Sequence, residues 1–195
     1  MAASRDALQT SLLPCDHRST RHVTTLNFIE SARKEFAYYR NLGDRTFAQL
    51  ADADLLRTDR PGTNSIAVIV NHLHGNMLSR WTDFLTTDGE KEWRTRDAEF
   101  EGTITTREEL IKRWNEGWDR LFQALEPLTM ADMDRIVHIR NEPHTVAQAI
   151  TRQLAHVPYH VGQIVHLGKH YRGEDFKSLS IPKGGSKDFN AGKGM

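Results

Sequence analysis

The sequence predicts an all-α protein, an antiparallel four-helix bundle, and three observations support this prediction. Apolar residues recur at three- to four-residue spacing in four segments, which is the period of a helix that buries one face. Turn signals such as Arg60–Gly62 separate these segments, and the alternating apolar pattern of strands is rare. The connection at residues 86–105 is long enough for a crossover, so we expect an up-down-down-up order of helices.

Each predicted helix is amphipathic and begins near a residue that can cap it. The four helices run from about Val23 to Leu50, Ser65 to Leu85, Thr106 to Leu125 and Thr145 to Tyr171. We predict a connector at residues 128–144, with a short extended piece at Ile136–Ile139.

The chain has 195 residues, enough for one well-packed domain, and we divide it into three parts. Residues 1–21 are polar and are expected to form an irregular leader. Residues 22–172 hold the four-helix, metal-binding domain. Residues 173–195 are expected to form an irregular tail, whose first half Leu179 and Ile181 attach to the bundle.

Composition argues against several functional classes. Basic and acidic residues number 26 each and no basic stripe is present, so we expect no nucleic-acid partner. There is neither a membrane-spanning apolar run nor a secretory signal, and we expect a cytoplasmic protein without a membrane partner. The single cysteine, Cys15, excludes an internal disulfide and a zinc site built mainly from cysteine. A bound metal would therefore use histidine and carboxylate ligands.

The fourth predicted helix carries a histidine pair with the spacing of a metal site. His156 and His160 are four residues apart, so both imidazoles lie on one face, one turn apart, and can hold one divalent ion. By itself the pair also fits a helix that is merely rich in histidine. Pro158 lies between them, and the kink that it is expected to cause could change their separation.

The second predicted helix offers two candidates for a third ligand. His72 and His74 are two positions apart, or about 200° around the helix axis, so only one can face the pair. His72 has small polar neighbours that could orient a ligand, and we prefer it. His74 lies closer to the apolar stripe and stays open as the alternative. If His72 faced solvent, no metal site would be expected.

Residues 86–105 form a charged connection that includes Arg94, Arg96 and Glu99. Such a run of charges is typical of a solvated loop. Trp93 and Phe100 within it suggest the alternative of a lid or a subunit contact, since long loops are often functional.

These motifs together resemble the DinB-like (damage-inducible) superfamily, over about residues 25–171. The resemblance rests on the Asn71–Leu73 element in the second helix and on the H-x3-H-x2-Q element at His156–Gln163. It is strongest over residues 71–101 and 152–166, and it points to a branch of unassigned function related to YfiT-like metal-dependent proteins.

The resemblance implies an up-down-down-up bundle that binds one divalent metal, commonly zinc or nickel, near one end. His72, His156 and His160 occupy the matching ligand positions, and dimers are frequent in the superfamily. Characterised relatives include S-transferases that use a low-molecular-weight thiol, bacillithiol or mycothiol, and a maleylpyruvate isomerase. No thiol-binding motif carries over to particular residues here, and Pro158 departs from the expected pattern.

We therefore expect a metal-dependent enzyme that acts on a small molecule by thiol S-transfer or hydrolysis, as in detoxification. A three-histidine divalent site with an open position lowers the pKa of a bound water or thiol. The alternative is a non-catalytic, metal-stabilised dimeric binding or stress-response protein. Catalytic residues are not identified, but four residues are candidates for contact with the ligand histidines or the substrate: Asn76, Asp83, Gln163 and Arg80.

Overall fold

A computed structural model describes residues 27–193 of the chain, and the predicted leader at residues 1–21 lies outside this range. The described part is mostly helical, as predicted, with one small antiparallel hairpin. Its α-helices are α1 (Phe28–Phe47), α2 (Asp52–Leu56), α3 (Ile66–Trp81), α4 (Arg107–Leu125), α5 (Val146–Arg172) and α6 (Ser186–Gly192). Its strands are β1 (Ile136–Ile139) and β2 (Glu142–Thr145), and short 3-10 turns lie at Asp97–Phe100, Met130–Asp132 and Gly173–Asp175.

The four long helices enclose a single apolar core. Helix α3 packs along α4, and α1 packs along α5, while α3 also contacts α5 and α1 contacts α4. Trp81, Trp114 and Trp118 are fully buried in this core, as the amphipathic pattern of the segments predicted. Among residues 27–193, no helix is both long and apolar enough to cross a membrane.

Side-chain caps fix where three of these helices begin. Ser65, Thr106 and Thr145 each accept a hydrogen bond from the backbone amide three residues further on. Each cap satisfies a donor that would otherwise be unpaired at the start of the helix. Helix α3 ends at Trp81 rather than near Leu85, because Thr82 is extended (ψ 122°) and Asp83 adopts the left-handed conformation (φ 47°), and neither conformation continues an α-helix.

The extended piece predicted at Ile136–Ile139 is confirmed as β1, but the connector differs from the prediction because β1 pairs with β2 in a hairpin. Arg140 and Asn141 form its two-residue turn, and both have positive φ, 56° and 63°. Such turns favour Asn-Gly or similar pairs, so the local sequence gives little hairpin signal. The carboxylate of Asp88 stabilises this turn, since it accepts hydrogen bonds from the backbone N–H groups of Arg140 and Asn141 at 2.8 and 2.7 Å.

The tail is more ordered than an irregular segment. It contains α6, and its first half attaches to the C-terminal end of α1 through polar contacts. Lys177 N donates to Gln49 Oε1 at 2.7 Å, and Arg45 Nη1 donates to the backbone oxygen of Leu179 at 3.2 Å. Ile181 is 43% exposed and is not buried against the helices.

Two glycines give a matched test of the packing between α1 and α4. A Cβ at Gly43 would overlap Cζ2 of the buried Trp114 ring, whereas a Cβ at Gly162 of α5 would meet open space. We expect Gly43→Ala to lower the free energy of unfolding by about 1–3 kcal/mol through overpacking. Gly162→Ala should raise it by up to about 1 kcal/mol, since alanine favours helices. Urea unfolding followed by circular dichroism measures both, and a Gly43→Ala protein as stable as the parent would contradict the packing described.

Candidate metal centre

Three histidines from two helices meet at one point of the structure. His72 comes from α3, and His156 and His160 come from α5. One ring nitrogen from each lies within 4.8 Å of the other two. Nε2 of His72 and Nε2 of His156 are 3.1 Å apart. The structure thus brings together the three histidines that the sequence singled out.

Pro158 does not separate the pair on α5. The helix runs without interruption through this residue, and the ring centroids of His156 and His160 are 4.7 Å apart. Their four-residue spacing therefore places both imidazoles on one face, as in an ideal helix.

The donors of this cluster suit a divalent ion such as zinc. Tetrahedral zinc with bonds to nitrogen of about 2.0–2.1 Å would hold two ligand nitrogens about 3.3 Å apart. The 3.1 Å between the Nε2 atoms of His72 and His156 is close to this distance. Three clustered imidazoles are thus a donor set that a divalent metal fits.

A buried carboxylate fixes the tautomer of His72. Its Nδ1 lies 2.8 Å from Oε2 of Glu99. Because an ionised carboxylate only accepts hydrogen bonds, Nδ1 carries the proton and donates it. In the neutral ring the lone pair then belongs to Nε2, the atom that faces His156. Metal-ligating histidines have this orientation in most proteins, with a carboxylate or carbonyl behind the ring.

Glu99 is itself held by Arg94. Nε and Nη2 of the guanidinium donate to the two carboxylate oxygens at 2.7 and 3.0 Å. Only 6% of Glu99 is exposed, and this burial works to raise its pKa. The hydrogen bonds from His72 and Arg94 and the charge of Arg94 outweigh burial, so the pKa of Glu99 lies below its ordinary value. The carboxylate is ionised at neutral pH and can orient the imidazole.

Sequence reasoning missed Glu99, because its segment read as a solvated charged loop. In the structure the Asp97–Phe100 turn packs on α3, and Phe100 stacks on the His72 ring with centroids 4.9 Å apart. One signal was present, a glycine inside an apolar helix close to a histidine. A Cβ at Gly75 would overlap Oε1 of Glu99 and lie 2.7 Å from its Cδ. Glycine at this position leaves the space that the carboxylate fills.

Three of the other predicted contact residues lie near the cluster. Oδ1 of Asn76 accepts a hydrogen bond from Nε2 of Gln153 at 3.2 Å, which links α3 to α5 beside the histidines. Gln163 lies close enough to His160 to favour its protonated form, although no well-formed hydrogen bond reaches the buried Nδ1. Arg80 lines the cavity next to the histidines.

Two residues weighed at the sequence level lie elsewhere. Asp83 is exposed beyond the end of α3, eleven residues and about 16 Å along the helix axis from His72. It borders a different cavity, so the structure does not bring it to the cluster. His74 points to the other side of α3, where its Nε2 lies 3.2 Å from Oε2 of Glu116. Of the two histidines left open, His72 is the one that reaches the pair.

Burial and neighbouring charges keep two of the histidines neutral. Burial is the main reason that the pKa of His156 falls to about 3, and the nearby His160, His72, Arg80 and Arg94 lower it further. Burial, followed by His72, lowers the pKa of His160 to about 4, although Gln163 opposes this shift. Both imidazoles are therefore unprotonated at neutral pH, the state in which they can bind a metal.

The cluster forms part of the wall of a cavity of about 630 Å³. This volume is in the range of sites that take small molecules. Phe100 and Tyr159 supply aromatic surface, and no Asp or Glu lines the cavity in the described part of the chain. Five arginines also line it: Arg80, Arg94, Arg96, Arg140 and Arg152.

The fold and the cluster together define a mostly helical protein with a three-histidine group able to hold a metal ion. The chain belongs to the family described as "Protein of unknown function (DUF1572)", whose profile matches residues 23–185. Its fold is similar to the crystal structure of a conserved protein from Enterococcus faecalis, with a TM-score of 0.58 and 12% sequence identity. That match covers 77% of this chain and 100% of the other. A search of curated proteins found no match.

The lowered histidine pKa values predict how the metal-free protein responds to acid. In the unfolded chain His156 and His160 regain the ordinary value of 6.5, so between about pH 6.5 and 4 the unfolded state binds more protons. Stability should therefore fall as the pH falls through this window. The melting temperature of chelator-treated protein, measured from pH 7 to pH 4, should decrease more steeply for the parent than for His156→Gln/His160→Gln.

The exposed His166 of α5 supplies the control for this measurement. His166→Gln should keep the steep slope of the parent. Equal slopes for the parent and the double variant would show that the two clustered histidines are not held neutral by the fold.

Proposed function

We propose that this protein is a metal-dependent enzyme whose divalent ion is held by His72, His156 and His160. One observation carries the proposal, the 2.8 Å contact between His72 Nδ1 and the buried carboxylate of Glu99. Burying a carboxylate costs free energy unless hydrogen bonds compensate for it. A backbone carbonyl or a water would satisfy the ring N–H of a histidine that only filled core space, whereas an ionised carboxylate also raises the basicity of a metal ligand.

The surroundings of the cluster support a catalytic rather than a purely structural site. No Cys, Asp or Glu of residues 27–193 joins the three histidines as a fourth ligand, and a cavity adjoins them. Three protein ligands beside a cavity are typical of catalytic zinc sites, while structural sites use four. A divalent ion held there, zinc or nickel by the nature of the donors, would supply Lewis acidity to a bound small molecule.

The chain's own residues would prepare this site in distinct ways. Arg94 holds Glu99, and Glu99 holds the His72 ring in the tautomer that offers Nε2. Phe100 covers one face of the same ring and excludes water from it. The hydrogen bond between Asn76 and Gln153 ties α3 to α5 at the level of the cluster. These contacts fix the ligand positions before any ion or substrate binds.

For the reaction we infer thiol S-transfer or hydrolysis of the kind found in detoxification. The support is the resemblance to the DinB-like superfamily. We propose that this family belongs to that superfamily and forms up-down-down-up bundles. A low-molecular-weight thiol would be the second ligand of an S-transferase, and we expect a cytoplasmic homodimer that acts on a small molecule. The alternative is a non-catalytic, metal-stabilised binding or stress-response protein. Its support is the exposed aromatic surface of Trp93 and Tyr159, 59% and 65% exposed, which a partner could cover.

Metal content tests the three ligands directly. Tag-free protein should carry about one equivalent of zinc or nickel by plasma mass spectrometry, since three imidazoles bind one ion. His72→Ala and His156→Ala/His160→Ala should lose it. His74→Ala is the matched control and should keep it, because that imidazole contacts Glu116 instead. A folded parent that takes up no zinc or nickel when either is added would remove the basis of the proposal.

The contribution of Glu99 can be measured separately. Glu99→Gln removes the ionised acceptor behind His72 and should weaken zinc binding about 10–100-fold, the usual effect of losing such a partner. Competition with a chromogenic chelator reports the affinity. Glu92→Gln changes an exposed carboxylate in the same loop and should bind zinc as the parent does. Equal affinities in both variants would mean that Glu99 does not tune a metal ligand.

A further inference from the structure

We propose that the cavity beside the histidines binds the anionic oxygen group, a carboxylate or a phosphate, of a small-molecule ligand between Arg80 and Arg152. The inference rests on the proposed function, because it names the substrate class of the same site. The inference follows from the arginines that line the cavity, because some of them already have carboxylate partners in the protein and two do not.

Three of the five arginines at the cavity are engaged by the protein itself. Arg94 forms ion pairs with Glu99 and with Glu90, at 2.7 and 3.1 Å. Arg140 lies 3.4 Å from Glu90. Arg96 lies 3.6 Å from the exposed Asp97 and over the Phe100 ring, which explains its position without a ligand.

Arg80 and Arg152 have no such partner. Within residues 27–193 neither forms a salt bridge, and Nη1 of Arg80 is buried without a hydrogen-bond acceptor. A buried guanidinium nitrogen without an acceptor costs free energy, and proteins rarely leave one unpaired. The fold nevertheless holds the Arg80 side chain in place against Gly89. A Cβ added to Gly89 would lie only 3.0 Å from Cδ of Arg80. Arg80 also lines the cavity, so it contributes an unpaired positive charge to the cavity wall.

The position of Arg152 makes the unpaired charges act together. It lies on α5 one turn before His156, it is exposed, and it also lines the cavity. Burial, and next the charge of Arg152, lower the pKa of Arg80 to about 10, which still leaves Arg80 charged at neutral pH. Two guanidinium groups that repel each other across a cavity are stabilised by an anion that both can contact.

The location of this pair limits what the ligand can be. The cavity of about 630 Å³ is lined by both arginines and by all three histidines, so one small molecule can contact both groups. Such a ligand has an anionic end at the arginines and a second group near the histidines. Carboxylates and phosphate esters share the required chemistry, since both present two or more acceptor oxygens to a guanidinium.

The test uses the full chain without a tag, treated with a chelator so that an anion cannot bind through a metal. Inorganic phosphate and succinate are titrated separately by isothermal calorimetry. The variant is Arg152→Gln, which changes an exposed side chain and should leave folding intact. The matched control is Arg60→Gln, which removes the same charge at an exposed arginine outside the cavity and without a salt bridge in the described chain. Zinc uptake is measured in parallel for all three proteins.

We expect the parent and Arg60→Gln to bind at least one anion equally, and Arg152→Gln to bind it about tenfold more weakly, the usual loss for one charged hydrogen-bonding partner. The anion that binds more tightly identifies the group as carboxylate or phosphate. Failure of the parent to bind either anion would overturn the inference. So would an anion affinity of Arg152→Gln that is no lower than that of Arg60→Gln.

The two proposals fail in different ways. Anion binding that depends on Arg152 in a protein that takes up no zinc would leave the anion site standing and reject the metal site. Zinc uptake without any anion binding would reject the anion site alone.

Discussion

The chain of contacts from Arg94 through Glu99 to His72 is the constraint on which the candidate site depends. A carboxylate in a largely buried position must be ionised and fully hydrogen-bonded if it is to orient an imidazole. Arg94 meets this need with two hydrogen bonds, and Gly75 provides the space in which the carboxylate lies against α3. The long loop between α3 and α4 is thereby drawn onto the helices, so that a segment rich in charge becomes one wall of a cavity.

The positive charge of the cavity also contributes to the neutrality of His156. Arg80 and Arg94 add to the effect of burial in lowering the pKa of His156. Imidazoles that stay neutral are ready to bind a cation, while arginines without carboxylate partners are ready to bind an anion. If a divalent ion occupies the cluster, it adds positive charge beside Arg80. The two kinds of ligand would then strengthen each other's binding by the same factor, as linkage requires.

The sequence predicted features that follow from local periodicity, and it missed features that depend on distant partners. The four long helices, the caps at Ser65, Thr106 and Thr145, and the spacing of His156 and His160 all follow from rules that act within a few residues. The hairpin at Arg140–Asn141 does not, because Asp88, about fifty residues earlier, stabilises its positive φ angles. Glu99 was missed for the same reason, since 27 residues separate it from His72. Helical angles alone could not choose between His72 and His74, because the choice depends on where α5 packs.

The placement of the histidines on two different helices has a mechanical consequence. Helices α3 and α4 form one closely packed pair, α1 and α5 form another, and α3 and α5 share a smaller contact. His72 belongs to the first pair, whereas His156 and His160 belong to the second. An ion bound to all three would act as a cross-link between the two pairs, and its binding energy would add to the stability of the folded state. Metal supply would then set the rigidity of the helices around the site.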